Sequence, residues 1–201
     1  MRRATPAALL AGTLACCASL PPVGEPFEGA DGWGYRTARG TVTLAPSYIV
    51  ALPFSPDGIA AVVDASGWAI IDHTGVVLVR PVVVDNGPDE FHESRARFVD
   101  NGKVGFFDTH GRIVIPARFD WAAPFHEGRA AFCHVCRTVV EDEHATVVGG
   151  RWGYLDRRGR VAVADVFEAA GEFCGGIAQV THEGRRVAID RRGAIRPRAP
   201  D

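Results

Sequence analysis

Cysteine and histidine lie close together at one place in the chain, and this is where the residue types could carry chemistry. The motif Cys133-His134-Val135-Cys136 has the spacing used by zinc sites and by redox-active thiol pairs, and His144 follows it. A structural zinc site usually joins two such clusters, whereas this sequence has one. In an exported protein this spacing favours a disulfide between Cys133 and Cys136.

Three alternatives to that disulfide stay open from the sequence. The two thiols could be free, they could bind a metal together with His144, or Cys133 could pair with Cys174 from a neighbouring repeat. Thioredoxin-like chemistry is not favoured, because no βαβ pattern surrounds the pair.

The other polar candidates are explained by repetition or by solvation. Equivalent places in a repeating pattern account for four of the seven histidines, which are His73, His110, His92 and His126. The acidic run 141–143 is typical of a solvated loop, since a calcium site needs more widely spaced oxygen ligands. The sequence contains no G-x-S-x-G, no phosphate loop and no H-E-x-x-H. We therefore predict no catalytic residue, no metal site and no cofactor, and we do not expect an enzyme.

A nine-residue frame organises the chain around these residues. Its clearest copy runs from Arg151 to Gly159, and five copies end at Gly40, Gly75, Gly111, Gly159 and Gly193. The intervals are 35, 36, 48 and 34 residues, and a nearly fixed period in this range is typical of repeat arrays. The long interval equals one period plus an insertion of about 13 residues, which we place at 134–149.

Each copy of the frame predicts a strand followed by a tight turn. Aromatic and β-branched residues at its second to fifth positions fit a pleated, half-buried surface. An Asp at the sixth position and a Gly at the ninth predict the turn, and the Asp residues are Asp72, Asp108, Asp156 and Asp190. From the second copy on, a strand such as Ile59–Asp64 precedes each frame. A third strand follows the frame and ends near a proline such as Pro46, Pro81 or Pro116.

The predicted fold is all-β: a tandem array of about five three-stranded antiparallel meanders of about 35 residues, open and curved or twisted. A closed, propeller-like ring is the alternative. We expect the first unit to lack its leading strand, and the connectors 118–124 and 166–171 to hold one helical turn each. The tryptophans Trp33, Trp68 and Trp152 are expected to pack between units. The phenylalanines expected to cap strand ends are Phe54, Phe91, Phe125 and Phe173.

These motifs resemble a known family. The pattern F-x-x-G-x-A, then G-x-W-G-Y-x-D-x-x-G, then a strand and a proline, resembles the WG repeat, also called the KWG repeat. The resemblance covers about residues 27–197, with departures at Thr37, Val104 and Arg186. It implies a β-repeat module of bacterial proteins and no shared catalytic residues.

The first residues have the composition of an export signal. The positively charged segment Met1-Arg2-Arg3 precedes the apolar run Ala4–Ala15, which is too short to span a membrane as a mature helix. We predict a signal peptide over 1–18, a Pro/Gly linker over 19–28 and the repeat domain over 29–201.

Two cysteines close the apolar run, and they predict a lipid anchor. The residues 13–16 resemble a lipoprotein signal box, so we expect a lipid on Cys16, with Cys17 as the alternative. More than one acyl chain on the mature N-terminus would give stable membrane binding. The expected location is the periplasm or the outer membrane as a lipoprotein, and otherwise the protein is secreted.

Composition and charge limit the function further. The formal net charge of −2 favours neither nucleic acid nor an anionic membrane surface as partner. We predict a non-catalytic binding or scaffold module at the bacterial cell envelope, whose partner is a protein or another envelope component. The alternative is an exported thiol-redox or hydrolytic enzyme that uses Cys133 and Cys136.

The insertion at 134–149 is the one feature that breaks the repeat. Valines on both sides of its acidic run predict an extended hairpin with its tip near Glu141–His144. Insertions into repeat arrays lie on one face, which is often the binding face. The alternative is a merely tolerated insertion, because surface loops accept extra length at low entropic cost.

The lipid prediction can be tested in cells that express the full chain. Radiolabelled palmitate should enter the wild type and should not enter a Cys16→Ser, Cys17→Ser double variant, because these are the two cysteines that directly follow the apolar run. A wild-type protein that is cleaved and exported without label would contradict the lipid anchor and leave a soluble exported protein.

Overall fold

A computed structural model describes residues 24–141 and 144–196, and within them the chain forms strands and turns but no helix. No helix that could cross a membrane occurs in this part of the chain. The predicted signal peptide at 1–18 and the lipidation site at Cys16 lie outside the described residues. The described strands fall into six antiparallel sheets, none of which closes into a barrel. The prediction of an all-β tandem array is therefore confirmed.

Five of the six sheets correspond to the five repeats. Unit 1 contains β1 (Glu25–Gly29), β2 (Gly32–Arg36) and β3 (Val42–Tyr48). Unit 2 contains β4 (Val50–Ala51), β5 (Ile59–Asp64), β6 (Gly67–Asp72) and β7 (Val77–Val79), and the small hairpin β8 (Val83–Val84) and β9 (Gly87–Pro88) follows it. Unit 3 contains β10 (Arg95–Asp100), β11 (Lys103–Asp108) and β12 (Ile113–Phe119). Unit 4 contains β13 (Trp121–Ala122), β14 (Arg129–Glu141), β15 (His144–Asp156) and β16 (Val161–Phe167). Unit 5 contains β17 (Ala169–Ala170), β18 (Ile177–His182), β19 (Arg185–Asp190) and β20 (Ile195–Arg196).

Two expectations about the ends of the units were wrong. Unit 1 has its leading strand, β1, which begins at Glu25. The linker predicted over 19–28 therefore extends too far, because its last four residues belong to this strand. Pro26 had favoured a linker, but β1 is an edge strand, where a proline costs no ladder hydrogen bond. The connectors 118–124 and 166–171 contain no helical turn. They form the short strands β13 and β17, which add a fourth strand to the sheets of units 4 and 5.

The Asp-x-x-Gly turns have the geometry that the sequence predicts. In unit 4 the Oδ1 atom of Asp156 accepts hydrogen bonds from the backbone N–H groups of Arg158 and Arg160, at 2.9 and 3.0 Å. The same pair of bonds recurs at Asp72, Asp108 and Asp190. In unit 1 the hydroxyl of Thr37 accepts the second of these bonds, from the N–H of Thr41 at 3.2 Å. Threonine thus replaces aspartate without loss of the turn.

The glycine of the Trp-Gly pair allows the third strand to fold back over the second. A Cβ at Gly153 would lie 2.6 Å from the carbonyl oxygen of Val163, and Gly34 and Gly105 are equally close to their third strands. The φ angle of Gly153 is not in the left-handed region, so the requirement is one of space alone. Units 1, 3 and 4, which have this glycine, have seven-residue third strands. Unit 2 has Ala69 instead, and its third strand β7 has three residues.

This fold-back also explains why the third strands pass their prolines. The strands β3 and β12 continue through Pro46 and Pro116, where the sequence had predicted an end. At the glycine the pairing of the two strands shifts: Trp33 is opposite Tyr48, while Tyr35 is opposite Leu44. The third strand therefore contains extra residues at this point. The proline lies within the extra residues of this bulge, where no ladder donor is required.

The core lies between consecutive units, where the fourth residue of each frame clusters with the fifth residue of the next frame. Tyr35, Phe106 and Tyr154 are fully buried, and each ring contacts the leading phenylalanine of the next unit. The centroid distances are 4.6 Å for Tyr35–Phe54, 4.9 Å for Phe106–Phe125 and 4.8 Å for Tyr154–Phe173. Phe125 and Phe173 are therefore core residues between units and do not merely cap strand ends.

The tryptophans contribute less to this core than expected. Trp152 is buried among residues of units 4 and 5, and Trp33 is half-buried at the junction of units 1 and 2. Trp68 is half-buried, and its indole N–H donates to the carbonyl oxygen of Asn86 in the β8–β9 hairpin.

The close approach at Gly153 predicts a large effect of one methyl group. Gly153→Ala should lower the free energy of unfolding by about 2 kcal/mol or more, because the added Cβ must displace the backbone of β16. Gly87→Ala is the matched control, since its Cβ would meet nothing nearer than the carbonyl oxygen of Val84 at 3.7 Å. Urea unfolding should show a change within about 0.5 kcal/mol for that control. Equal effects of the two substitutions would contradict the steric explanation.

The turn aspartates predict how stability depends on pH. Burial opposes ionisation of Asp156, but hydrogen bonds from Arg160 and Arg158 outweigh it and lower the pKa of the carboxyl group. A carboxyl group with a lower pKa in the folded state stabilises the fold above its unfolded pKa of about 3.9, and this contribution is lost as pH falls through the folded value. Asp156→Asn should therefore flatten the loss of stability below about pH 5, measured by urea unfolding. Parallel pH profiles for wild type and variant would contradict this assignment.

Candidate functional site

The insertion in unit 4 forms a long hairpin that continues the first two strands of that unit. The strands β14 and β15 pair without a break in direction from Arg129↔Asp156 to Glu141↔His144. The corresponding hairpins of units 2, 3 and 5 have six pairs each. The predicted hairpin with its tip near 141–144 is confirmed, and residues 142–143 lie outside the described part.

A local distortion lies at the base of this hairpin, where the repeat ends and the insertion begins. The register passes from His134↔Arg151 to Cys136↔Gly149, and both intervening residues have positive φ, 58° at Val135 and 79° at Gly150. Left-handed backbone is rare for a β-branched residue and costs about 1–2 kcal/mol. The Val135 side chain is 82% exposed, so this conformation directs an apolar group into solvent.

Two contacts hold the distortion in place. The carboxylate of Asp120 accepts a hydrogen bond from the Val135 N–H at 2.6 Å. A Cβ at Gly150 would meet the Cys133 Sγ atom and the Cys136 Cβ atom, so glycine is also required for space.

The structure brings Cys133 and Cys136 together across this distortion. Their Cα atoms are 6.1 Å apart and their Sγ atoms lie at bonding distance. This geometry supports the predicted disulfide, which stays a prediction. Cys174, the other cysteine in the described part, is exposed and unpaired, so it does not pair with Cys133 here.

Two polar contacts flank the base of the hairpin, an ion pair on one side and a histidine–aspartate contact on the other. A hydrogen bond from Lys103 is the main cause of the lowered pKa of Asp120, and burial partly opposes it. On the other side, His134 Nδ1 lies 3.2 Å from the Asp165 carboxylate, and this contact is the main cause of the lowered pKa of Asp165. The His134 ring also packs on Phe119, with 5.6 Å between centroids. The base is therefore fixed by polar contacts on both sides and by ring contacts.

This arrangement is poorly suited to thiol chemistry. Cys133 is fully buried, and its Sγ atom lies 3.6 Å from the carbonyl oxygen of His134 and 3.9 Å from that of Gly149. Burial and carbonyl oxygens both oppose a thiolate, which is the nucleophilic form. Among the residues that the structure describes, no group of three or more His, Cys, Asp or Glu is placed to hold a metal ion. The side chain of His144, the third candidate ligand, lies outside them.

The histidines that the repeat pattern accounts for lie elsewhere, at the turns along one edge of the array. The rings of His92 and His126 are 5.4 Å apart, centroid to centroid, because they occupy equivalent turns of units 3 and 4. His110 Nε2 is 4.0 Å from the Asp57 carboxylate of the preceding unit. None of these contacts joins the cysteine pair.

Sequence reasoning missed a buried ion pair between units 2 and 3. The guanidinium of Arg97 donates to the Asp89 carboxylate and to the carbonyl oxygen of Ala122, and both charged residues are buried. They line a cleft of about 630 Å³ beside the β8–β9 hairpin. The sequence did contain a signal for this pair. In the other units the leading phenylalanine follows the fourth residue of the preceding frame by 19 positions, and Asp89 stands 19 positions after Ile70.

Comparison with known proteins identifies part of the chain. The family described as the WG containing repeat matches residues 105–134 and 152–185. These segments cover most of the frames of units 3 and 4, together with the inner part of β14 and the whole of β18. The family is a repeat module and is not a known enzyme family. No curated protein matches the chain.

The strained conformation of Val135 can be measured directly. Val135→Asn should raise the free energy of unfolding by about 1 kcal/mol, because asparagine tolerates left-handed backbone and little apolar burial is lost. Val161→Asn is the control, a strand valine that is 55% exposed with no positive φ. It should give no gain in urea unfolding. If Val135→Asn lowered the free energy of unfolding as much as Val161→Asn does, the strain at Val135 would be contradicted.

Proposed function

Because the chain carries repeats of the WG containing family, we propose that it is a non-catalytic binding or scaffold module at the bacterial cell envelope. Its partner is a protein or another envelope component. The hairpin of residues 134–149 is the element that contacts this partner.

One observation carries this proposal: the hairpin is ordered as a strand pair but adds little to the core. The inner residues Ala130–Cys133 are buried, whereas no side chain is buried over 135–139 or over 146–150. The sheets of the other units form without such an extension. A part of the chain that the fold does not require, and that keeps a defined shape, is suited to recognition.

The fixed base supports the same role. Asp120, the cysteine pair and His134 hold the start of the hairpin in one conformation, so little ordering is needed when a partner binds. The exposed side chain of Val135 supplies an apolar contact at this rigid point.

The envelope location rests on the N-terminal sequence. The positive start, the short apolar run and the cysteines after it support export and a lipid on Cys16. A lipid there would hold the repeat array close to a membrane while the array itself contacts its partner.

The second candidate function is an exported thiol-redox or hydrolytic enzyme. The closeness of the Cys133 and Cys136 sulfur atoms favours it, and the burial of Cys133 disfavours it. Thiol titration of the native, freshly purified protein separates the two candidates. A reactive pair of low pKa would support the enzyme, and two unreactive sulfurs would support the binding module.

Removal of the outer hairpin tests the binding role. Residues 137–148 are replaced by Asn-Gly, which can connect the paired Cys136 and Gly149 as a two-residue turn and leaves the base intact. We expect the melting temperature to change by only about 2–4 °C and the capture of a partner from an envelope fraction to be lost. Capture at the wild-type level would overturn the role of the hairpin.

A matched control removes two exposed valines from the other hairpin. Val83 and Val84 are 55% and 42% exposed, and their replacement by serine should leave both capture and melting temperature unchanged. Loss of capture in this control as well would show that the effect is not specific to the hairpin of unit 4.

A further inference from the structure

Arginines are concentrated along one edge of units 4 and 5. This arginine edge consists of the arginines in the Asp-x-x-Gly turns of units 4 and 5, within three residues after those turns, and in the first turn of unit 4. They are Arg129, Arg157, Arg158, Arg160, Arg191, Arg192 and Arg196. The chain as a whole has a formal net charge of −2. The positive charge is therefore local, and a uniformly basic composition does not explain it.

Three of these seven arginines are held in place by contacts between units, and Arg160 and Arg196 pair with the turn aspartate of their own unit. Glu93 accepts hydrogen bonds from Arg157 and from the Gly128 N–H, and Glu127 accepts them from Arg191 and from the N–H groups of Gly175 and Gly176. Arg157 and Arg191 each lie 64 residues after their glutamate, so the same contact recurs one repeat later.

The first turn of unit 4 is tied to unit 5 as well. The guanidinium of Arg129 donates twice to the carbonyl oxygen of Arg191, at 3.1 and 3.2 Å. The turns of the two units are thereby fixed side by side.

In the described part of the chain, the side chains of the other two arginines of the edge make neither kind of contact. Arg158 and Arg192 occupy the same position in consecutive turns, where each backbone N–H bonds to the turn aspartate. Both side chains are exposed, and within 24–141 and 144–196 neither guanidinium makes a hydrogen bond or an ion pair. They line clefts of about 270 Å³ and about 450 Å³ in units 4 and 5.

An apolar residue follows each of these turns. Val161 and Ile195 stand two residues after the turn glycines and are 55% and 56% exposed. The equivalent residues of the other units are also β-branched and exposed, and they are Val42, Val77 and Ile113. Unit 1 has the same combination in Arg39 and Val42, but its neighbour unit 2 has Thr74 at the arginine position. Among the described residues, units 4 and 5 are therefore the two consecutive units in which unpaired turn arginines and exposed aliphatic side chains occur together.

We propose that the arginine edge of units 4 and 5 is a docking site for an extended acidic peptide segment that also carries apolar side chains. Arginine forks match the geometry of carboxylates, and two such forks one repeat apart fit a ligand with more than one carboxylate. An acidic polysaccharide or a nucleic acid would satisfy the arginines but would leave Val161 and Ile195 uncovered. A peptide covers both, and this argument selects a peptide among the polyanions.

This site is separate from the hairpin of the proposed function, so the two can fail independently. The test uses the full chain and measures its affinity for a labelled peptide by fluorescence anisotropy. In this peptide Glu and Val alternate over about twelve residues. We expect binding that weakens by at least about tenfold when NaCl rises from about 50 mM to about 500 mM. Arg158→Glu with Arg192→Glu should weaken it at least about tenfold, and the milder Arg158→Gln with Arg192→Gln should act in the same direction.

Two matched controls separate a specific site from general charge. Arg39→Glu with Arg185→Glu reverses two exposed arginines outside the arginine edge and should leave affinity within about twofold. Val161→Ser with Ile195→Ser should weaken binding of the Glu-Val peptide but not of a peptide in which Glu and Ser alternate. Circular dichroism of each variant verifies its fold.

The outcomes that overturn the proposal are distinct. Unchanged affinity in both arginine variants would show that the peptide binds elsewhere or not at all. Equal affinity for the Glu-Ser peptide, or affinity as high for polyuronate or a single-stranded oligonucleotide, would show a general polyanion surface. Normal peptide binding after removal of residues 137–148 would support the separation of this edge from the hairpin, and lost binding would overturn it.

Discussion

The contact between a buried ring of one unit and the leading phenylalanine of the next is the interaction on which the array depends. It recurs between Tyr35 and Phe54, Phe106 and Phe125, and Tyr154 and Phe173, with the same 19-residue separation and nearly the same distance. A small meander cannot bury a face by itself, so each unit is stabilised by its neighbour. Where the ring is a tyrosine, its hydroxyl donates to a carbonyl oxygen of the next unit at 2.7 Å, which satisfies the buried polar atom. Burial raises the pKa of both tyrosines, so these hydroxyls stay protonated donors over the physiological range.

Other features of the repeat keep the units at the distance that this contact requires. The turn glycines approach the preceding unit so closely that a Cβ at Gly159 or Gly193 would meet Ile115 or Val163. The glutamates of the first turns, Glu93 and Glu127, join the same neighbours along the edge. At the junction of units 2 and 3 the frame has Ile70 in place of the ring, and the leading position of unit 3 holds Asp89, which pairs with the buried Arg97. Arg97 also donates to the carbonyl oxygen of Ala122, so the pair is tied to unit 4 as well. Such a pair is costly to bury, and every strong donor and acceptor in it must be satisfied for the junction to hold.

The sequence predicted those parts of the fold that depend on near neighbours in the chain. The Asp-x-x-Gly turns and the leading strand Ile59–Asp64 follow from local residue types, and they were predicted correctly. The fourth strands β13 and β17 could not be predicted, because two residues with an ordinary composition pair there only when the neighbouring strand is in place. The same applies to the contacts of Glu93 and Glu127, which join residues 35 to 64 positions apart and leave no local pattern. At the candidate site the hairpin was predictable from its valines, but the left-handed Val135 was not, since Asp120, in the bend between β12 and β13, holds it.

A double-mutant cycle tests most directly whether the units are held together by these rings. Tyr154→Leu, Phe173→Leu and the double variant are compared by urea unfolding, with Phe106→Leu and Phe173→Leu as the control pair, because Phe106 and Phe173 lie in different clusters. We predict a coupling free energy of about 1 kcal/mol or more for Tyr154 and Phe173, and additivity within about 0.5 kcal/mol for the control pair. Additive effects for Tyr154 and Phe173 would contradict the account, because each unit would then be stable without the ring of its neighbour.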